Sequence, residues 1–247
     1  MSDFHTEDAI EVPNAQPEVG ETLSTQELTK LFSVLSHDLK SPIFSIDGFS
    51  ELLLADYNDR LDDEGQDFLR RVRSSAAQMK KVLDEMSHIV KLLSRPSVKR
   101  ATPLRELVEE VLLKYNSLLG DGAVRVEVPS DLPTVDVDPE KMREAIGALI
   151  GNALFFNDRP KNERSIVISC PAVEKGFKFC VRDNGIGIDP RYVAQVFELG
   201  LKLDKSRGGG PGYGLYLAKR IVEGHGGSVS VDTALEQGST FCLTIPR

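Results

Sequence analysis

Residues 28–53 read LTKLFSVLSHDLKSPIFSIDGFSELL, and the spacing of their apolar side chains decides how the chain begins. Leu28, Phe32, Leu35, Leu39, Pro42, Ile46, Phe49 and Leu53 follow one another in steps of four and three. That alternation is the period of a helix whose apolar stripe meets another helix in a coiled-coil-like seam. Upstream, Ser24 stands three residues before Glu27 in the pattern of a capping box, so the helix is predicted to start there. Downstream, polar residues from Asp56 to Asp63 interrupt the period. A second seam follows at Phe68, Val72, Ser75, Met79, Val82, Met86, Ile89 and Leu93, and Pro96 closes it because proline cannot continue a helix. Two amphipathic helices with a short polar connection predict an antiparallel hairpin. Leu31, Leu52, Leu69, Ala76, Leu83 and Val90 widen both stripes beyond what one hairpin buries, which predicts two copies pairing as a four-helix bundle.

Beyond Pro96 the period changes. Residues 103–119, 138–156, 189–199 and 212–224 read as helices, and 124–128, 165–170, 177–182, 228–232 and 240–245 as strands. Their interleaving lacks a regular βαβ alternation, so the second part is expected to be α+β, with helices on one face of a mostly antiparallel sheet. The expected division is a flexible acidic tail over 1–23, the hairpin over 24–96, a linker over 97–102 and a second domain over 103–247.

The 247 residues carry 40% hydrophobic and 28% charged side chains, an ordinary globular balance, and a net charge of −8, which argues against a nucleic-acid partner. No basic start precedes an apolar run, and the longest apolar stretch, 146–156, is too short to span a bilayer. A cytoplasmic protein without membrane insertion is expected. Cys170, Cys180 and Cys242 are far apart in sequence, show no metal-ligand or disulfide framework, and are expected to be separate core thiols.

Four places carry chemistry. His37 lies two residues before Leu39, off the seam, so its imidazole is expected to point into solvent. A neutral ring nitrogen is a nucleophile, and the neighbouring Asp38 can orient the ring and offset positive charge, provided its rotamer allows the contact. Ser41, four residues on, shares the face of His37. A lone exposed helical histidine is unremarkable, so the assignment needs the other three places. The first of these is Asp183-Asn184-Gly185-Ile186-Gly187-Ile188 after a predicted strand, where Asp183 can accept a hydrogen bond from an exocyclic amine such as adenine's. Gly185 and Gly187 are expected to let backbone approach a ligand, although Gly-x-Gly is common in turns. The next is Gly208-Gly209-Gly210-Pro211-Gly212-Tyr213-Gly214, either a flexible linker or, since a helix starts sharply after it, a phosphate cradle, with Lys202, Lys205 and Arg207 just before it. The last is Asn152, an amide in an apolar helix segment, which either ties structure together or offers oxygen to Mg²⁺. Glu144 lies on roughly the same side of that helix. His88 is expected to be solvated, and His225 to be structural.

In order and spacing the chain resembles the catalytic core of two-component sensor histidine kinases. Ser36 to Pro42 matches the phosphoacceptor box, Asn152-Ala153 the N box, Asp183 to Ile188 the first glycine box, Phe197 the phenylalanine box, Gly210 to Leu215 the second glycine box and Gly238-Ser239-Thr240-Phe241 the closing turn. The resemblance implies a dimeric hairpin bearing His37, followed by a gyrase-type ATP-binding α/β sandwich. It implies ATP and Mg²⁺, with Asp183 on the adenine amine, Asn152 on Mg²⁺, and Gly210, Gly212 and Gly214 beside the phosphates under a lid over 201–210. Asp38 would assist attack by His37 on the γ-phosphoryl group, and an aspartate on a response-regulator receiver domain would take it next. The chain departs from the family at Ala148, usually asparagine, and at Phe155, usually a lysine that reaches phosphate. Lys202, Lys205 or Arg207 would compensate. Ser41 stands where a phosphatase-competent kinase often has Thr or Asn. With no sensor segment evident before the helices, the stimulus is expected from a separate sensor protein or the tail. The rival readings are a gyrase-type ATPase without transfer to histidine, a degenerate nucleotide-binding scaffold, and a serine kinase acting as an anti-sigma factor.

Overall fold

The computed structural model describes residues 24–120, 124–157, 163–174, 176–201 and 212–246. Helix α1 runs over Thr25–Asp56, capped by Ser24, whose hydroxyl accepts from the Glu27 N–H while the Glu27 carboxylate accepts in return. A 3₁₀ turn, Asn58–Arg60, leads to α2, Asp63–Ser94, capped by Asp62. The two helices pair antiparallel, and their register is fixed by Thr29 with Ser94 (2.7 Å), Lys40 with Asp84 (2.7 Å) and Arg73 with Asp47 (3.2 Å). The side chains buried between them are small or medium: Ser36, Ile43, Ser50 and Ala76. The heptad stripe lies elsewhere. Leu28, Leu35, Leu39, Ile46, Phe49 and Leu53 are all exposed, Phe49 by 68%. The seam read from the sequence is therefore not the one that joins α1 to α2 within a chain. It forms a second, uncovered face.

After α2 come β1 (Arg100–Pro103), α3 (Leu104–Lys114), α4 (Asn116–Leu119), β2 (Arg125–Glu127), β3 (Thr134–Val137) and α5 (Pro139–Phe155). Then follow β4 (Ser165–Ser169), β5 (Phe177–Asp183), the 3₁₀ turn Pro190–Gln195, α6 (Gly214–Gly224), β6 (Ser228–Ala234) and β7 (Gly238–Ile245). The short strands β1 and β3 pair as an antiparallel ribbon that the apolar pattern does not reveal. The helix expected over 103–119 breaks at Tyr115, and the one expected over 189–199 is only a 3₁₀ turn. The main sheet has the order β2-β4-β5-β7-β6, parallel between β2 and β4 and antiparallel elsewhere. Residues alternate across it, so Phe179 and Val181 of β5 and Phe241 and Leu243 of β7 share one face. They pack with Ile146, Leu149 and Ile150 of α5 and Leu217 and Ile221 of α6 in one core.

The expectation of three separate thiols fails for two of them. Cys180 and Cys242 stand opposite each other across β5 and β7 and form a disulfide. Strand register brings them together across a separation of 62 residues, and register cannot be read from the spacing of cysteines. Cys170 is free and half-buried, and burial pushes its thiol pKa up. Among the described residues no helix is long and apolar enough to cross a membrane.

Candidate functional site

His37 sits in the N-terminal half of α1 with its side chain 87% exposed, and its Nδ1 lies 3.2 Å from the Asp38 carboxylate. Adjacent helix residues diverge by about 100° of arc, so this contact requires both side chains to lean along the surface, which their exposure permits. Ser41 is exposed one turn on. The helix continues through Pro42, whose missing N–H leaves the Asp38 carbonyl without its helical donor. Ser36, buried just before His37, has no hydrogen-bond partner for its hydroxyl among the described residues. Lys40 pairs with Asp84 and holds that carboxyl below its ordinary range, chiefly through the hydrogen bond.

A cavity of about 560 Å³ opens in the second part of the chain. Its wall on α5 includes Ala148, Asn152 and Phe155, and its floor includes Asp183, Ser239 and Phe241. Gly212, Tyr213 and Gly214 stand on a third side, at the start of α6. Among the described residues no side chain caps that helix, and a helix start leaves its first N–H groups without partners inside the helix. The Asn152 side chain lines the cavity and makes no hydrogen bond to another described residue.

Asp183 is 5% exposed. Its Oδ1 accepts from the N–H groups of Gly185 (2.8 Å) and Ser239 (3.3 Å). Burial outweighs those bonds and pushes its pKa up to about 6. Gly187 lines the cavity, and both glycines also have a packing role. A Cβ on Gly185 would collide with the Phe156 carbonyl, and one on Gly187, at φ +65°, with the Ala234 carbonyl. Both glycines let backbone pass backbone and so fix the loop below Asp183. Asn184 is also structural. It accepts from Asn157 Nδ2 (2.8 Å) and the Ser165 N–H (2.9 Å) and donates to the Glu163 carbonyl (2.7 Å). Gly210, Lys205, Lys202, Arg207 and most of the expected lid lie outside the described residues.

The hairpin reaches this cavity. Glu85 of α2 is part of its wall. Its neighbour Asp84 holds Lys40, which lies three residues beyond His37, so the pocket and His37 stand within about one helical turn of the same level along the hairpin. His88, expected to be merely solvated, faces Glu144 at 3.7 Å, and Glu144 also lies 3.9 Å from Lys114, outside the cavity lining. Lining residues missed in the sequence include Glu85 and two aromatics, Tyr115, which lies edge-on to Phe155 at 6.4 Å, and Tyr192. Tyr115 had a signal, the single aromatic ring in the stretch predicted as a helix over 103–119.

Comparison with known proteins accounts for both parts. Residues 27–95 match the His Kinase A (phospho-acceptor) domain. Residues 137–247 match the histidine kinase-, DNA gyrase B- and HSP90-like ATPase family. The chain belongs to the two-component sensor histidine kinases and carries their catalytic core. It is 32% identical over 225 residues to cyanobacterial phytochrome B of Nostoc sp. strain PCC 7120, covering 90% of this chain and 30% of that protein. It is 30% identical to the methanogenesis regulatory histidine kinase FilI of Methanothrix harundinacea, covering 94% and 26%. The chain thus spans about a third or less of these relatives' length. The fold is shared with the crystal structure of full-length ShkA in complex with AMPPNP (TM-score 0.65, 24% identity, 88% of this chain, 46% of that one). It is shared also with the Acinetobacter baumannii histidine kinase AdeS (TM-score 0.60, 19% identity, 85% and 97%).

Proposed function

We infer that the chain binds ATP in the cavity, transfers the γ-phosphoryl group to His37, and passes it to an aspartate of a response-regulator receiver domain, in the cytoplasm and as a homodimer. One observation carries the reading most of the way: an exposed imidazole paired with a carboxylate stands at the level of a nucleotide-sized cavity whose floor is a buried acid. Asp183 offers its remaining carboxylate oxygen to the adenine amine. The N–H groups at Gly212 and Gly214 face the phosphates, with Gly210 and Lys205 beyond them in sequence. Asn152 fits a Mg²⁺ site, because a half-buried amide oxygen without another partner among the described residues suits a hard cation that takes its remaining ligands from phosphate and water. Mg²⁺ would neutralise phosphate charge there.

The protein's own contribution to the reaction is positioning, as phosphoryl transfer requires. The Nε2 lone pair of His37 forms the bond to the γ-phosphorus as the bond to the ADP oxygen breaks. Asp38 accepts from Nδ1–H, which fixes the tautomer and offsets the charge that develops on the ring. Ser41 can bond a water beside the phosphohistidine. Stable dimerisation follows from the uncovered stripe Leu28 to Leu53, which a second hairpin would bury.

Incubation of the protein with γ-labelled ATP and Mg²⁺ tests the reading. Acid-labile, base-stable label is expected, absent from His37→Gln and Asn152→Ala; label persisting in His37→Gln would contradict it. Ala148 and Phe155 in the cavity wall favour a second reading, a nucleotide-binding scaffold, which nucleotide binding without any label would establish.

A further inference from the structure

The connection between hairpin and ATPase is fastened at Arg95, Ser97 and Val98. Asp138 caps α5 by accepting from the Lys141 N–H (3.1 Å), and the same carboxylate takes the Arg95 guanidinium (2.8 Å) and the Val98 N–H (2.9 Å). Its own N–H donates to His225 Nε2 (3.1 Å), and the ring's Nδ1–H donates to the Ile221 carbonyl (2.8 Å) at the end of α6. Lys141 reaches back with Nζ to the Arg95 carbonyl (2.8 Å) and Ser97 Oγ (3.0 Å). Asp138, Lys141 and His225 are all more than nine-tenths buried. Burial opposes the charge on Asp138, but the bonds from Val98, Lys141 and Arg95 outweigh it and hold the carboxyl below its ordinary range.

Arg95 is the cap that ends α2, and Asp138 is the cap that starts α5, so one buried junction joins the C-terminus of the phosphoacceptor hairpin to the N-terminus of the helix carrying Asn152. From there α5 runs as a rigid rod to Asn152, about 20 Å away. Ile89, Leu92 and Leu93 of α2 pack on the ATPase core beside it, and Glu85 reaches the cavity. A free tether would leave the pocket's position relative to the hairpin undefined, whereas a linker bonded at Arg95, Ser97 and Val98 defines it.

We propose that Asp138, Arg95 and Lys141 are positioning residues, which set the angle of the ATPase on the hairpin and so the approach of bound nucleotide to His37. This rests on the phosphotransfer reading above. Arg95→Ala and Lys141→Met, in the full chain, remove the fastening without touching His37, Asn152 or Asp183, and Arg95→Lys restores one bond. Both disrupting variants are expected to bind nucleotide within about twofold of the parent and to label His37 about tenfold or more slowly at saturating ATP, since small misplacements of reacting groups cost that much. Arg95→Lys should recover part of the rate. A labelling rate unchanged at saturation, or affinity and rate falling together as in general loosening of the fold, would overturn the proposal. A second measurement does not depend on kinase activity. Spin labels at Asp59→Cys and Gln237→Cys, in a Cys170→Ser background diluted with excess unlabelled chain, should give one narrow distance distribution that broadens in Arg95→Ala and Lys141→Met. Distances unchanged by either variant would sink the junction's role, whereas a parent that takes no phosphoryl label from ATP, with the broadening still seen in the two variants, would sink only the phosphotransfer reading.

Discussion

In the hairpin, Ser36, Ile43, Ser50 and Ala76 lie inside while Leu28, Leu35, Leu39, Ile46 and Phe49 remain outside. In the ATPase the order is the usual one, with Ile146, Leu149, Ile150, Phe179, Phe241 and Leu243 fully covered by elements of the same chain. The candidate functional groups differ in the same way: the His37 imidazole is 87% exposed and the Asp183 carboxyl 5%. A hairpin with a core of small residues cannot be the whole folding unit, because too little apolar area is removed from water to offset ordering two long helices. The ATPase is self-sufficient and can hold a buried acid rigidly. The hairpin leaves an apolar stripe uncovered and, on the function proposed above, would present the His37 nucleophile outside the surface that a second copy covers.

The contrast can be broken most drastically at the stripe. Ile46→Glu combined with Phe49→Glu should abolish the homodimer in sedimentation velocity while leaving nucleotide affinity unchanged; a variant that still dimerised would erase the difference between the regions. In the ATPase, Ile146→Ala should cost about 2–5 kcal/mol in denaturant unfolding, because a filled core leaves a cavity behind.

The buried acid sharpens the comparison further. Asp183 has a folded pKa of about 6 against an ordinary 3.8, so between those values the native state holds more protons than the unfolded chain. Stability should therefore fall as pH rises across that window, by an amount present in the parent and absent in Asp183→Asn. Nucleotide affinity should rise severalfold over the upper part of the same window, as the carboxylate becomes a full acceptor for the adenine amine. Paired pH series of thermal unfolding and nucleotide titration check both. The smallest effect belongs to the exposed end of the hairpin: Ser24→Ala should cost about 1 kcal/mol through loss of the capping box.

The long-period features were legible in sequence. Heptad steps located both helices of the hairpin, and the offset of His37 from Leu39 gave its outward direction, because a helix converts spacing into angle without reference to the rest of the chain. Features that depend on register or tertiary approach were not legible. The sequence showed neither that Cys180 faces Cys242 nor that Thr29, Ser36, Ile43 and Ser50, rather than the leucine stripe, line the inside of the hairpin. The packing role of Gly185 and Gly187 was hidden because the Phe156 and Ala234 carbonyls that crowd them come from distant elements. The Asp138 junction was equally hidden, since a helix cap announces its own helix and not the arginine or histidine it collects from elsewhere.

The most direct test is to locate the phosphoryl group itself. After treatment of the intact chain with ATP and Mg²⁺, digestion at neutral to alkaline pH and mass spectrometry should place a single phosphoryl adduct on the His37 imidazole, lost on brief acid treatment. An adduct on a serine, threonine or different histidine, with position 37 unmodified, would contradict the account.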